Sequence, residues 1–370
     1  MLELVLPIVF ILAVMAVIFV VIKAIRAAIS SHNLPTSRSH SQPPAPPVFE
    51  DSALPESLGL QHDIPLQAAV ARLEQAFTPE LEARLRERVL RRYPQMTAAE
   101  FKWRLLELKR YFVMTAVLKD VPMFSEAVDE LWHELLMFTR EYHKLCEALA
   151  GEHIHHAPHA SDGEPNPGAR AWFDWVYAQL FVATPYSAYI WKPFFRHPLN
   201  RELLDDLRLS AEADLTGRLF HSKAAGRHPE IKQTISRLIM KAKQQIPSAD
   251  TGNGTYSDHP RPHYQSSDYL PYMGGAMMYY SYCTRPDDED DFECRMSEHY
   301  AQEDKEAERR DNSTSGCGSS GSGDADSSCR TSHSDDSDSN KSGASSGCSS
   351  TSCSSSSSCS SSSSCGGGGD

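Results

Sequence analysis

The sequence is poor in several features that would name an activity. It has no excess of positive charge: 36 Lys plus Arg stand against 49 Asp plus Glu, a formal net charge of −13. That excludes a globally basic nucleic-acid binder, and no nucleic-acid partner is expected. The acidic excess is also local. Residues 61–250 carry 25 charges of each sign, whereas residues 251–370 carry 20 acids and eight bases. A phosphate-binding P-loop, GxGxxG ahead of a helix, and HExxH are all missing, which removes the commonest signatures of nucleotide and zinc-protease chemistry. Glu134 does follow His133, but Met occupies position 137. No run alternates apolar and polar residues at strand period, so an extended sheet is not expected.

Charge is absent altogether from Leu4 to Ile22, LVLPIVFILAVMAVIFVVI. At helical rise, nineteen residues make about 28 Å, enough for the hydrocarbon core of a bilayer. Only Glu3 precedes the run as a charge, which does not suit a cleaved signal peptide. Lys23 and Arg26 follow it. The positive-inside rule then predicts a transmembrane anchor at 1–26 with the remainder of the chain in the cytoplasm. Residues 27–59 are Pro- and Ser-rich and read as a linker.

Helical signals begin after the linker. Thr78-Pro79-Glu80 is an N-cap followed by proline in the first turn, and Leu81, Leu85 and Val89 recur on one face up to Pro94. Thr97 and Glu100 form a capping box ahead of Phe101, Leu105, Leu108 and Phe112. Ser125-Glu126 opens a third helix and 138–149 supports a fourth, with more over 168–183, 199–208 and 228–246. The predicted fold class is therefore all-α: a helical domain at 60–250 behind a single transmembrane helix. Arg84, Arg86, Arg88, Arg91 and Arg92 interleave with Glu80, Glu82 and Glu87, as on a solvated, ion-paired helix face. The aromatics from Trp172 to Phe195 are expected mainly in the core.

Residues 251–312 show no assignable period and read as an irregular acidic and Tyr/Met-rich segment. The tail, 313–370, holds 27 serines and six of the nine cysteines and is too poor in apolar residues to fold. Its cysteine gaps do not match zinc knuckles.

The stretch from Asp129 to His159 gathers the residue types that carry chemistry. Asp129 and His133 stand at i, i+4, and so do Tyr142 and Cys146, with Trp132 alongside; Gly151 then ends the helix and His153, His155, His156 and His159 follow. His133, Cys146, His155 and His156 are candidate ligands for zinc or another divalent metal. The alternative is structural: Trp132, His133, Tyr142 and Cys146 as core and interhelix residues, with Asp129 satisfying the imidazole.

Asp129, Trp132, His133, Thr139, Tyr142, Cys146, Gly151, His155, His156 and Pro158 also occur in an order that resembles the helical module of the glycine-rich domain-containing protein family, notably its uncharacterised bacterial relatives. The resemblance extends upstream to Tyr111, Phe112 and Val121-Pro122, over about 50 residues. Many such proteins carry a second histidine two positions after the Trp-His pair; Leu135 stands there in this chain. The resemblance implies a bacterial inner-membrane protein, with no enzymatic activity attached. The functional expectation is a membrane-anchored binding or scaffolding module that meets a protein partner through the helical domain or the tail. The alternative is a metal-dependent enzyme or a metal or redox sensor using residues 129–159.

Overall fold

The computed structural model describes residues 47–155, 166–250, 256, 260–283 and 289–315, all within one compact unit. The predicted anchor at 4–22, the linker up to 46, His156, Pro158, His159 and the tail from 316 lie outside the described residues. Among those described, the fold is all-α, with no strand beyond two isolated bridges, Leu60 to Phe181 and Leu118 to Phe220. No described helix is long and apolar enough to cross a membrane.

A 3-10 turn at Glu56–Gly59 leads into α1 (Gln67–Ala76), α2 (Pro79–Arg92) and α3 (Ala98–Val117). The predicted starts are in place: the Thr78 hydroxyl accepts from the Leu81 amide at 3.3 Å and the Thr97 hydroxyl from the Glu100 amide at 3.1 Å. Helix α3 is the hub, buried from Tyr111 through Val117 and packed against α1, α2 and α4 (Glu126–Leu136). Ser125 caps α4 through the Val128 amide and sends its own hydroxyl to the Ile190 carbonyl. Two residues, Met137 and Phe138, separate α4 from α5 (Thr139–Leu149).

Beyond these come α6 (Pro167–Leu180), the single turn α7 (Ser187–Ile190), α8 (Arg201–Leu209), α9 (Glu212–Leu219), α10 (Ser222–Arg227) and α11 (Pro229–Asp250). The aromatic-rich α6 is core, as expected: Phe173, Trp175 and Tyr177 are fully buried. The loop after α7 is held by one buried clamp. Asp174 pairs with Arg170 at 2.7 Å and accepts the Phe195 amide at 2.7 Å, while Arg170 donates to the Trp191 carbonyl at 2.9 Å.

Packing does not stop at residue 250. The segment without a sequence period forms α12 (Tyr269–Cys283), α13 (Glu289–Ser297) and α14 (Gln302–Ser315), and α12 packs on α6 and α11. The physical reason is visible in its burial. Tyr269, Leu270 and the whole run Met273–Ser281 are buried, so α12 has no polar face and therefore no amphipathic pattern to detect. Gly274 and Gly275 are needed at the closest approaches, where a Cβ would come within 2.8 Å of the Gln179 amide nitrogen and 2.3 Å of the Tyr256 hydroxyl.

The arginine run of α2 also differs from a self-paired helix face. Arg91 pairs with Glu87 at 2.5 Å, but Arg88 and Arg92 reach across to the buried Glu134 of α4, and Arg84 reaches Glu141 of α5 at 2.7 Å. The run fastens α2 to the following hairpin.

Candidate functional site

The α4–α5 hairpin brings Trp132 and Tyr142 together in the core. The Trp132 indole N–H donates to the Tyr142 hydroxyl at 3.2 Å, and that hydroxyl donates to the Ile154 carbonyl at 2.6 Å. Tyr111 and Phe112 of α3 pack on the Trp132 ring with centroids 5.2 and 5.5 Å away. Burial pushes the Tyr142 hydroxyl and the Cys146 thiol above their usual ranges, which keeps both neutral. Cys146 is fully buried, and a neutral, enclosed thiol is a poor nucleophile and a poor ligand.

His133 stands elsewhere in character. Its side chain is half exposed, with Nδ1 3.6 Å from Asp129 Oδ2, so it is a surface residue and not a core one. Thr139 is exposed in the first turn of α5. Gly151 ends α5 with φ 73°, and a Cβ there would sit 2.4 Å from the Arg227 guanidinium. His153 lies edge-on to Tyr142 at 5.4 Å and beside His155 at 5.0 Å, both histidines facing solvent. Among the described residues no three His, Cys, Asp or Glu side chains are grouped so as to hold a metal ion.

Two polar clusters carry no signal in the sequence, because their members are far apart along the chain. At the centre, Glu107 and Arg110 of α3 have no exposed side-chain surface. The Glu107 carboxylate accepts from Tyr177 (2.8 Å), Ser187 (2.8 Å), Trp191 (2.9 Å) and Arg110 (3.3 Å). Arg110 also donates to the Tyr177 hydroxyl at 2.6 Å and the Leu58 carbonyl at 2.8 Å, over the Phe181 ring. The residue types would suit a catalytic centre. Closed from solvent and bonded to each other, they instead tie α3 to α6, α7 and the 3-10 turn.

The second cluster is on the C-terminal helices. His299, buried, bonds Tyr272 at Nδ1 (2.7 Å) and Tyr280 at Nε2 (2.8 Å). A neutral imidazole can donate to one phenol and accept from the other, and burial lowers the His299 pKa to about 4. Nearby, the Tyr269 hydroxyl bonds the buried Asp304 carboxyl, whose pKa burial raises to about 6.

An open cleft of about 570 Å³ is formed by the segment before α1 together with α1, α2 and α3. Leu58, Phe101, Leu105 and Leu106 make its apolar floor, and both signs of charge ring it: Arg86, Lys102 and Lys109 with Asp51, Glu74 and Glu82. Lys102 pairs with Asp51 at 2.8 Å, and Lys109 pairs with Glu82 over the Phe77 ring. The sequence pattern missed this site because its floor residues Phe101 and Leu105 are the same apolar positions that define the core face of α3.

Comparison with known proteins adds one match: a family model described as UCP032817-like, itself uncharacterised, covers residues 71–176. No curated protein and no solved structure matches the chain. The matched segment runs from α1 into α6 and includes Trp132, Tyr142 and Cys146, so this stretch of the helical unit is similar to that uncharacterised family.

Proposed function

We propose that the protein is a membrane-tethered helical binding module and that its ligand surface is the cleft over α3. The observation that carries this is the contrast between the cleft and the polar clusters. The groups with catalytic character, Glu107, Arg110, Tyr177 and Cys146, are enclosed, the first three bonded to one another, whereas the cleft is open, apolar at its floor and rimmed by mixed charge. Such a surface suits an amphipathic peptide from a protein partner, its apolar side on the floor and its charges against Lys102, Arg86 and Glu74. The uncharged run at 4–22 supports the tether, with the helical unit in the cytoplasm.

The test is a titration of the full chain, in detergent micelles, against a panel of fluorescent amphipathic peptides of mixed charge. Saturable binding should be lost in Ala83→Trp, which fills the cleft mouth from an exposed position of α2. Binding that ignores Ala83→Trp, or none at all, overturns the cleft assignment; substrate turnover by the purified chain overturns the binding module.

A further inference from the structure

Residues 47–55 cross α3 as an extended strap with the character of a bound peptide. The Phe49 ring lies 4.6 Å from Tyr186 and 5.8 Å from Tyr189, and Tyr186 is 5.0 Å from Trp103. Main-chain bonds flank this anchor: the Glu50 amide donates to the Tyr186 hydroxyl at 2.8 Å, that hydroxyl donates to the Val48 carbonyl at 3.2 Å, and Trp103 Nε1 donates to the Glu50 carbonyl at 2.9 Å. Lys102 then takes the Asp51 carboxylate and the Ser52 carbonyl, each at 2.8 Å. An aromatic slot, backbone bonds and a complementary charge are the elements by which extended peptides are recognised. Val48 is 84% exposed, and Phe49 and Leu54 are only partly buried where they pack against the core, so the strap lies at the surface of the domain.

The hinge joining the strap to the domain is strained. Ser57 (φ 47°), Leu58 (φ 58°) and Gly59 (φ 66°) are three successive left-handed residues, and two of them carry side chains that disfavour it. The far side of the hinge is fixed. Leu58 O accepts from Arg110 at 2.8 Å, Gly59 O accepts the Val182 amide at 2.8 Å, and Gln61 N donates to Leu180 O at 2.8 Å. Folding the strap back onto its own α3 requires this turn; extending it does not. A short strained hinge before a detachable segment favours exchange of that segment between identical chains. The occupant best matched to the slot is by construction the same strap from another copy, and the sequence ahead of it, 34–46, is Pro- and Ser-rich, a linker composition.

We propose that two copies of this chain exchange their straps, each Phe49 entering the Trp103/Tyr186/Tyr189 slot of the other copy and each cleft wall at 51–55 being supplied by the other copy. The proposal is separate from what the cleft binds and does not depend on it.

The experiment co-expresses two full-length chains with different epitope tags, one carrying the photo-crosslinker p-benzoylphenylalanine in place of Phe49. After irradiation in membranes, the expected product bears both tags, and its adduct maps to residues 98–117 or 186–191 of the chain without the crosslinker. Adding Ser57→Gly, which lets the hinge turn without a side-chain penalty at an exposed position, should lower the two-tag product about tenfold relative to the unaltered hinge. Adducts confined to a single tagged chain, two-tag adducts mapping elsewhere, or a yield indifferent to Ser57→Gly would each overturn the proposal.

Discussion

Trp132 and Tyr142 meet across a two-residue turn, and the indole N–H and phenol between them hold the main chain at Ile154. One hydroxyl thus connects the α4–α5 hairpin to the segment after Gly151. Tyr142→Phe removes both bonds, the donation to the Ile154 carbonyl included, a loss of about 1–3 kcal/mol. Chemical denaturation of the full chain should show that loss. Amide hydrogen exchange should quicken first at residues 151–155.

The central ion pair makes a larger prediction. Arg110→Met leaves the Glu107 carboxylate in a closed site with its cation gone, and should cost about 3–5 kcal/mol. Glu107→Gln in the same background takes away the stranded charge. The double variant is therefore expected to be less destabilised than the two single changes added together, which a double-mutant cycle measures directly.

Gly151 answers two demands at once, a left-handed backbone and the close approach of Arg227. Gly151→Ala should cost about 1–2 kcal/mol for the backbone alone, with a further loss as Arg227 is displaced from its ion pair with Glu147. In an Arg227→Ala background, where that ion pair is already gone, Gly151→Ala should cost only the backbone part. Melting temperatures of the three variants would separate them.

The two titrating groups of the C-terminal helices act in opposite directions. His299 has a folded pKa of about 4 against 6.5, so the unfolded chain binds the extra proton between these values and stability falls as pH drops through that window. Asp304 has a folded pKa of about 6 against 3.8, so there the folded chain holds the extra proton and stability falls as pH rises. Between pH 4 and 6 the two largely offset. Asp304→Asn keeps an acceptor for Tyr269 and removes the opposing slope, so its stability relative to the unaltered chain should rise by about 3 kcal/mol from pH 3.8 to 6. Denaturant midpoints across that range, with the difference between the two chains as the readout, would show it.

How much of this was legible in the sequence depended on how local each signal was. The starts of α2, α3 and α4 were readable because a cap and its recipient amide are three residues apart, as in Thr97 and Glu100. The helices α6, α8 and α11 followed from apolar spacing to within a few residues. Helix α12 was not readable, since a helix buried on every side has no period. The residues from Asp129 to Gly151 were legible as composition only, since the same letters suit a ligand set or a core. Exposure separates them, with His133 in solvent and Cys146 sealed. The Glu107 cluster joins residues 67–84 positions apart, which no local pattern records.

The partners of Glu107 set a practical limit on where this chain can be cut. Tyr177, Ser187 and Trp191 all lie past residue 176, the end of the segment similar to the uncharacterised family. A fragment ending there keeps α3 but strips its carboxylate of three of four donors, and it also loses α12 from the face of α6. The smallest piece expected to express as a stable body therefore runs from the strap to at least residue 283, and a truncation at 176 should be recovered as insoluble or protease-sensitive material.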